Sequence, residues 1–482
     1  MDVSVPLLLA IGVAAGIWAL VCAQRLPSLH ACLALLLAAS CFSVSFSRWE
    51  FGPVTMSIDR MLLVAVVGLA GLKRLISPQP RLQFDRYDLT LAALLFVLAI
   101  SLWTHPAPPK RSETSPSPSY LFAASFLGPA LVYWIARYRQ PHWRDARVLC
   151  VFFALFGLYA AFTAVCEVHR LSAFVFPKYI LQERVLYAGR AVGPCLSSPS
   201  LGTWLTVAAV AAVLLWNQSR GALRWLLVLL LPLVVYAEYL TSTRSAWMGF
   251  VVAVPLAALL SGSRMMRQLL FVVMIGGALV FGLFAGEEFL VPDRAEGRSV
   301  VAHSSSQRLA LMQRSIALFV QCPLHGWGFG QFEHESSLHG GGGPIQLVSS
   351  DAARGLASHN TLLRFIAETG VIGTVPFVAL FWLWLSHARR TLKTAPAGSA
   401  QQQLAILFLC TLIAYVAEAM FHDVTFIRQD NLLIYFLAGC LLSGLPSAAA
   451  SAQANQTEVA PRLSVVRWDW PHRRAPSWAT SR

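Results

Sequence analysis

Residues 199–216 read PSLGTWLTVAAVAAVLLW, a run without a single charged side chain. Coiled as a helix it measures about 27 Å, close to the roughly 30 Å hydrocarbon thickness of a bilayer. The run therefore predicts a membrane span. Similar runs recur outward in both directions, near 3–23, 29–47, 58–76, 88–104, 119–136, 148–166, 223–241, 245–262, 268–286, 361–386, 403–421 and 427–446, giving thirteen candidates in all. The 482 residues are 56% hydrophobic and only 12% charged, too apolar for a soluble globular chain. The expected fold class is an all-α, polytopic integral membrane protein. The first run follows Asp2 with no basic leader, so it reads as a span and not as a cleaved signal.

A net charge of +14 could point to nucleic acid, but the basic residues are scattered between apolar runs and form no stripe. They encode orientation instead, because short positively charged loops stay in the cytoplasm. With the N-terminus outside, alternate loops and the tail hold 21 of the 37 basic residues, against five of the 23 acidic ones. The expected location is a membrane whose cytoplasmic side carries these basic loops. Outside then lie residues 167–198, the turn at 242–244, and 287–358.

This division predicts a bundle over 1–286, an external catalytic loop domain over 287–358, and further spans over 359–446. Within the external part, Leu309, Met312, Ile316, Phe319 and Val320 recur at helical spacing and predict an amphipathic helix over 304–321 lying on the membrane or packed over the bundle. Gly326-Trp327-Gly328-Phe329-Gly330 and Gly340 to Gly343 permit tight turns or the mobility of a lid. Residues 447–482, rich in Ala, Ser, Pro and Arg, read as a disordered cytoplasmic tail. Asn455-Gln456-Thr457 fits a glycosylation acceptor pattern but falls on the cytoplasmic side. Among the nine cysteines there is no CxxC spacing, so no thiolate metal site is expected; Cys195 and Cys322 both fall outside, where a disulfide is permitted.

The chemistry concentrates at Ser358-His359-Asn360-Thr361-Leu362-Leu363-Arg364-Phe365-Ile366-Ala367-Glu368-Thr369-Gly370-Val371-Ile372-Gly373. A histidine stands where a polar segment ends and an apolar helix begins, with Ser358 or Asn360 placed to cap the first turn. Free backbone N–H groups at such a start suit an anionic ligand beside a base. The predicted topology brings Arg190 (in Arg190-Ala191-Val192-Gly193-Pro194) and Arg244 (in Thr241-Ser242-Thr243-Arg244-Ser245-Ala246-Trp247) to the same face.

Together with Gln307-Arg308 and Pro323-Leu324-His325-Gly326, these segments resemble the O-antigen ligase and polymerase superfamily of bacterial envelope glycosyltransferases, in detail over about 185–375. The resemblance implies about twelve spans and transfer from a polyprenyl-diphosphate-linked glycan, with no cofactor or metal at the chemical step. His359 is then the candidate base, and Arg190 and Arg244 the clamp on the diphosphate, since guanidinium forks match phosphate oxygens. Arg308, Asn360 and Glu368 are supporting candidates. The acceptor is a glycan or lipid A-core hydroxyl. Ligase-type transfer stands first, then repeat-unit polymerisation or protein O-oligosaccharyl transfer.

Plainer readings accompany each residue. Taken alone, a histidine opening a helix is more often a cap or a packed polar group than a base. Arg244 could anchor to lipid headgroups, and Arg190 shares its segment with Arg170, Lys178 and Arg184. A solvated helix charge accounts equally well for Arg308. Arg364 and Glu368, four apart, form an internal ion pair. Glu333-His334-Glu335 offers carboxylates to a cation, but a solvated loop is the preferred account. A transporter is the competing class, since many helices with a few charges also line a pathway.

Overall fold

The computed structural model describes residues 28–51, 54–76, 84–105, 116–183, 189–262, 267, 268, 271, 297–339 and 356–444. The chain divides into a unit at Met1–Leu445 and a second at Pro446–Arg482, so the expected tail falls outside the described residues, as do the spans at 3–23 and most of 268–286. The fold is helical: α1 Ser28–Cys41, α2 Ile58–Ile76, α3 Arg86–Thr104, α4 Pro118–Arg137, α5 Asp145–Val168, α6 Ser198–Trp216, α7 Ala222–Leu240, α8 Arg244–Leu260, α9 Gly297–Gln321, α10 Phe332–Leu338, α11 Thr361–Thr394, α12 Ala400–Ala419 and α13 Arg428–Leu442. One antiparallel ribbon interrupts them, β1 Trp49–Phe51 on β2 Val54–Met56. Among the described residues, seven helices (α3–α7, α11 and α12) are long and apolar enough to cross a membrane. α1 and α8 are apolar but shorter.

α6 is the axis of the bundle. Every one of its nineteen residues is buried, which explains why the sequence shows an unbroken apolar run there and no amphipathic stripe. Lipid tails are as apolar as leucine, so helices inside a membrane gain cohesion by close approach, and small residues permit it. A Cβ built on Gly157 of α5 would stand 2.1 Å from the Ala208 Cβ of α6, and one on Gly202 of α6 would stand 2.3 Å from the Ala246 Cβ of α8. These two crossings lock α5 and α8 against the axis.

Two elements carry detail beyond their expected bounds. The run at 361–386 is one long helix by hydrogen bonding but breaks at Gly370, where φ is 57° and ψ −158°. The amphipathic helix over 304–321 is present as part of α9 and packs on α10 and α11 through one face, leaving part of the apolar set read from the sequence outside. Ala310, Leu311, Arg314, Ser315 and Leu318 are buried, while Met312 and Val320 of that set are exposed. Ala310, Leu311 and Leu318 join Phe332 of α10 and Ala367 of α11 in a small core of their own. Arg314 can be buried there because its guanidinium donates to the Ser336 carbonyl of α10. A backbone acceptor on a neighbouring helix takes up one of its donors, and periodicity alone cannot foresee it.

Candidate active site

The start of α11 is stapled on both sides. Asn360, not Ser358, is the N-cap: its Oδ1 accepts from Leu363 N–H at 2.9 Å. The same side chain donates through Nδ2 to the Met420 carbonyl at 3.0 Å. Thr361 Oγ1 donates to the His422 carbonyl at 3.0 Å and accepts from Val424 N–H at 3.0 Å. The backbone carrying His359 is thereby fixed to the 420–424 turn that joins α12 to α13, while the His359 side chain remains exposed.

One turn deeper lies a buried ion cluster. Arg364 donates through Nε to Glu368 Oε1 at 2.8 Å and through Nη1 to Asp423 Oδ2 at 2.5 Å, with its guanidinium 4.3 Å from the Phe426 ring centre. The i, i+4 pair read from the sequence is present, extended by a second carboxylate. Glu368 also accepts from Gly330 N–H at 2.9 Å and Phe332 N–H at 3.0 Å. The glycine-rich segment therefore docks on α11. Trp327 N–H and Gly328 N–H donate to the Ala367 and Glu368 carbonyls, and Val371 N–H and Ile372 N–H donate to those of Pro323 and Leu324. Gly326 and Gly370 both have positive φ and touch across this seam; a Cβ on either would come within 2.4 Å of the opposite backbone. Of the two readings of 326–330, the tight turn is the one seen: Gly326 N–H donates to the Cys322 carbonyl, Phe329 N–H to Ser101 Oγ of α3, and the N–H groups of Trp327, Gly328 and Gly330 to α11. Gly340 to Gly343 lie outside the described residues.

Around His359 the tertiary structure gathers groups distant in sequence. His422 meets it edge to face, with ring centres 6.4 Å apart. His422 Nδ1 lies 2.5 Å from Glu418 Oε1 and 3.4 Å from Ser245 Oγ, and Ser245 Oγ donates to Glu418 Oε2 at 3.0 Å. Ser245 follows Arg244, the first residue of α8, whose side chain is exposed. Arg190 precedes Ala191, whose N–H donates to the Leu240 carbonyl at the end of α7, three residues before the cap of α8. Arg308, exposed on α9, is close enough to act on His359 electrostatically. Partial burial, then the charge of Arg308 and then His422, hold the His359 pKa below its ordinary value, with Asp423 opposing.

The sequence reading missed His422, Asp423, Glu418 and Glu238. A signal existed for the two glutamates, because an ionisable residue inside an apolar run is costly and rarely incidental. Both carboxylate oxygens of Glu238 are buried without a hydrogen-bond partner among the described residues, and Oε1 faces the Cα of Gly202 on α6. Glu333-His334-Glu335 lies in α10 and is not a loop; its Glu335 approaches His339 at 3.5 Å. Among the described residues no three His, Cys, Asp or Glu side chains are grouped to hold a metal. Cys195 is buried, Cys322 is half-buried, and neither is bonded.

Residues 233–378 match the family model described as O-antigen ligase. The matched stretch takes in Glu238, Arg244, Arg308, His359, Arg364, Glu368 and the Gly370 break. Arg190 and the His422–Asp423 turn lie outside it. No curated protein matches the chain.

Proposed function

We propose that this integral membrane protein transfers a polyprenyl-diphosphate-linked glycan to an acceptor hydroxyl at the outer face of a bacterial inner membrane, as a ligase. The O-antigen ligase match implies a glycan-transferring enzyme working on lipid-linked glycans. The observation that carries the finer reading is the exposed His359 on a backbone stapled to the 420–424 turn, with its pKa held low so that the imidazole is neutral and able to accept a proton.

In this reading the acceptor oxygen attacks the anomeric carbon, the new C–O bond forms, and the bond from that carbon to the phosphate oxygen breaks. The electron pair leaves with the polyprenyl diphosphate. The hydroxyl proton passes to His359 and then to water. Arg190 and Arg244 hold the diphosphate and stabilise its growing charge. Asn360 aims the backbone, Arg308 keeps the base neutral, and Glu368 supports the site from below. A single displacement inverts the anomeric centre, and no step draws on a metal.

Transport places ionisable groups near mid-membrane. Here Glu238 is in the last turn of α7, Glu418 in the last turn of α12 and Asp430 in the first turn of α13. All three stand at the His359 end, which favours a surface reaction.

The test is transfer by purified protein in nanodiscs, with polyprenyl-diphosphate glycan, candidate acceptors and EDTA, comparing wild type with His359→Ala and Arg244→Ala. Product from wild type that is lost in folded variants supports metal-independent transfer, and the accepted hydroxyl separates ligation from polymerisation and from protein glycosylation. Variants as active as wild type overturn the roles given to these residues. If no pair of substrates reacts, flux in sealed vesicles tests the transport alternative.

A further inference from the structure

The end of the bundle opposite His359 holds a second polar cavity. α11 starts beside His359 and ends at Thr394, and at its far end His387 Nδ1 meets Tyr87 Oη of α3 at 3.2 Å. The C-terminus of α4 arrives at the same level, where Arg137 pairs with Asp85 at 2.6 Å and with Asp88 at 2.9 Å. Beside it, between α1, α2, α4 and the turn at 138–145, opens a cavity of about 610 Å³. Its lining includes His30, Lys73, Arg74, Arg139 and His142, against the single carboxylate of Asp145.

Arg139 carries the argument. Its side chain is only 4% exposed, and one guanidinium nitrogen, Nη1, pairs with Asp145. The other two, Nε and Nη2, are buried and meet no oxygen acceptor among the described residues; the Cys440 thiol, a weak acceptor, stands beside them. A buried guanidinium whose two remaining donors meet nothing stronger than a thiol is expensive unless an anion completes it. A second cavity of about 600 Å³ shares His30 and continues along α5. It places Arg144 and Arg147 above an apolar slot of Leu33, Val148, Val151, Phe152 and Leu155. Basic groups at one end and an apolar trough leading away match a phosphate headgroup with an acyl chain, which inorganic phosphate would not use.

We infer that this paired cavity binds the phosphate of an anionic membrane lipid, with its acyl chain in the α5 slot. It is independent of the glycan reaction at the other end.

Lipid retention by the purified full chain is measurable by native mass spectrometry after titration with phosphatidylglycerol, phosphatidylcholine or inorganic phosphate. Phosphatidylglycerol is expected to be retained in preference, and Arg139→Gln to weaken that preference about fivefold, the order of effect of one basic side chain at an anionic surface. Because Arg139 is tied to Asp145 and its loss could unfold the turn, Lys73→Gln is the second variant, with about the same loss expected. Equal retention of the two lipids overturns the proposal. So does an undiminished preference in variants that melt like wild type. Inorganic phosphate displacing the lipid at matched concentration overturns the lipid assignment.

Discussion

As the proposed base, His359 acts only as a neutral imidazole, so its environment sets the pH at which the proposed reaction can run. Burial and Arg308 lower its pKa, which means the base loses its proton at a pH below the ordinary histidine value of about 6.5. Transfer should therefore rise with pH through a midpoint below that value. Arg308→Gln removes a positive charge, raises the pKa, and should move the acidic limb of kcat/KM to higher pH; a limb that stays in place separates Arg308 from the base. Glu368 belongs to support, since it touches Arg364 and two backbone N–H groups and not the open face. Removing one partner of a buried pair strands the other, so Glu368→Ala should cost about 3–5 kcal/mol in a denaturant titration. An unchanged midpoint would show that the Arg364–Asp423 pair suffices.

The decisive element is α11 with its break at Gly370. A left-handed φ at this residue ends the short stapled helix that begins at Thr361, and the rest of α11 crosses the bundle in a new direction. The break also exposes the backbone groups on which 323–328 docks. Gly370→Ala combines a backbone conformation that disfavours a side chain with a Cβ 2.4 Å from the Leu324 backbone. A loss of at least about 1–3 kcal/mol in stability is expected, with transfer falling as the docked segment is displaced. Gly68→Ala in α2 is the control. Nothing lies within 4 Å of its Cβ, so the melting point should hold or rise slightly.

Across the described residues, ionisable groups collect at the two ends of the bundle. Lys73, Arg74, Arg137, Arg139, Arg389 and Arg390 outnumber Asp85, Asp88 and Asp145 beside His387 at one end, while Glu238, Glu418, Asp423 and Asp430 mix with Arg244 and Arg364 near His359 at the other. The basic end is expected in the cytoplasm. Leu338→Cys should react with an impermeant maleimide on intact cells, and Ala397→Cys only after permeabilisation; both positions are exposed. The reverse pattern would invert the orientation and place His359 inside.

Much of this architecture was legible in the order of residues. A span must be apolar over a length fixed by the bilayer, so the run at 88–104 coincides with α3 to within two residues and that at 199–216 with α6 to within one. His359 at a helix start, the Asn360 cap and the Arg364–Glu368 pair are also local, because each depends on neighbours within four positions. What surrounds them is not local. His422 and Asp423 are some sixty residues from His359 and Arg364, and only the stapling of the 420–424 turn onto α11 makes them neighbours. The buried face of α9 and the docking of 323–328 likewise depend on which backbone acceptors another helix presents. Hydrophobic length fixes where a helix crosses; which side chains meet at its ends is decided by packing, and that is a property of the folded whole.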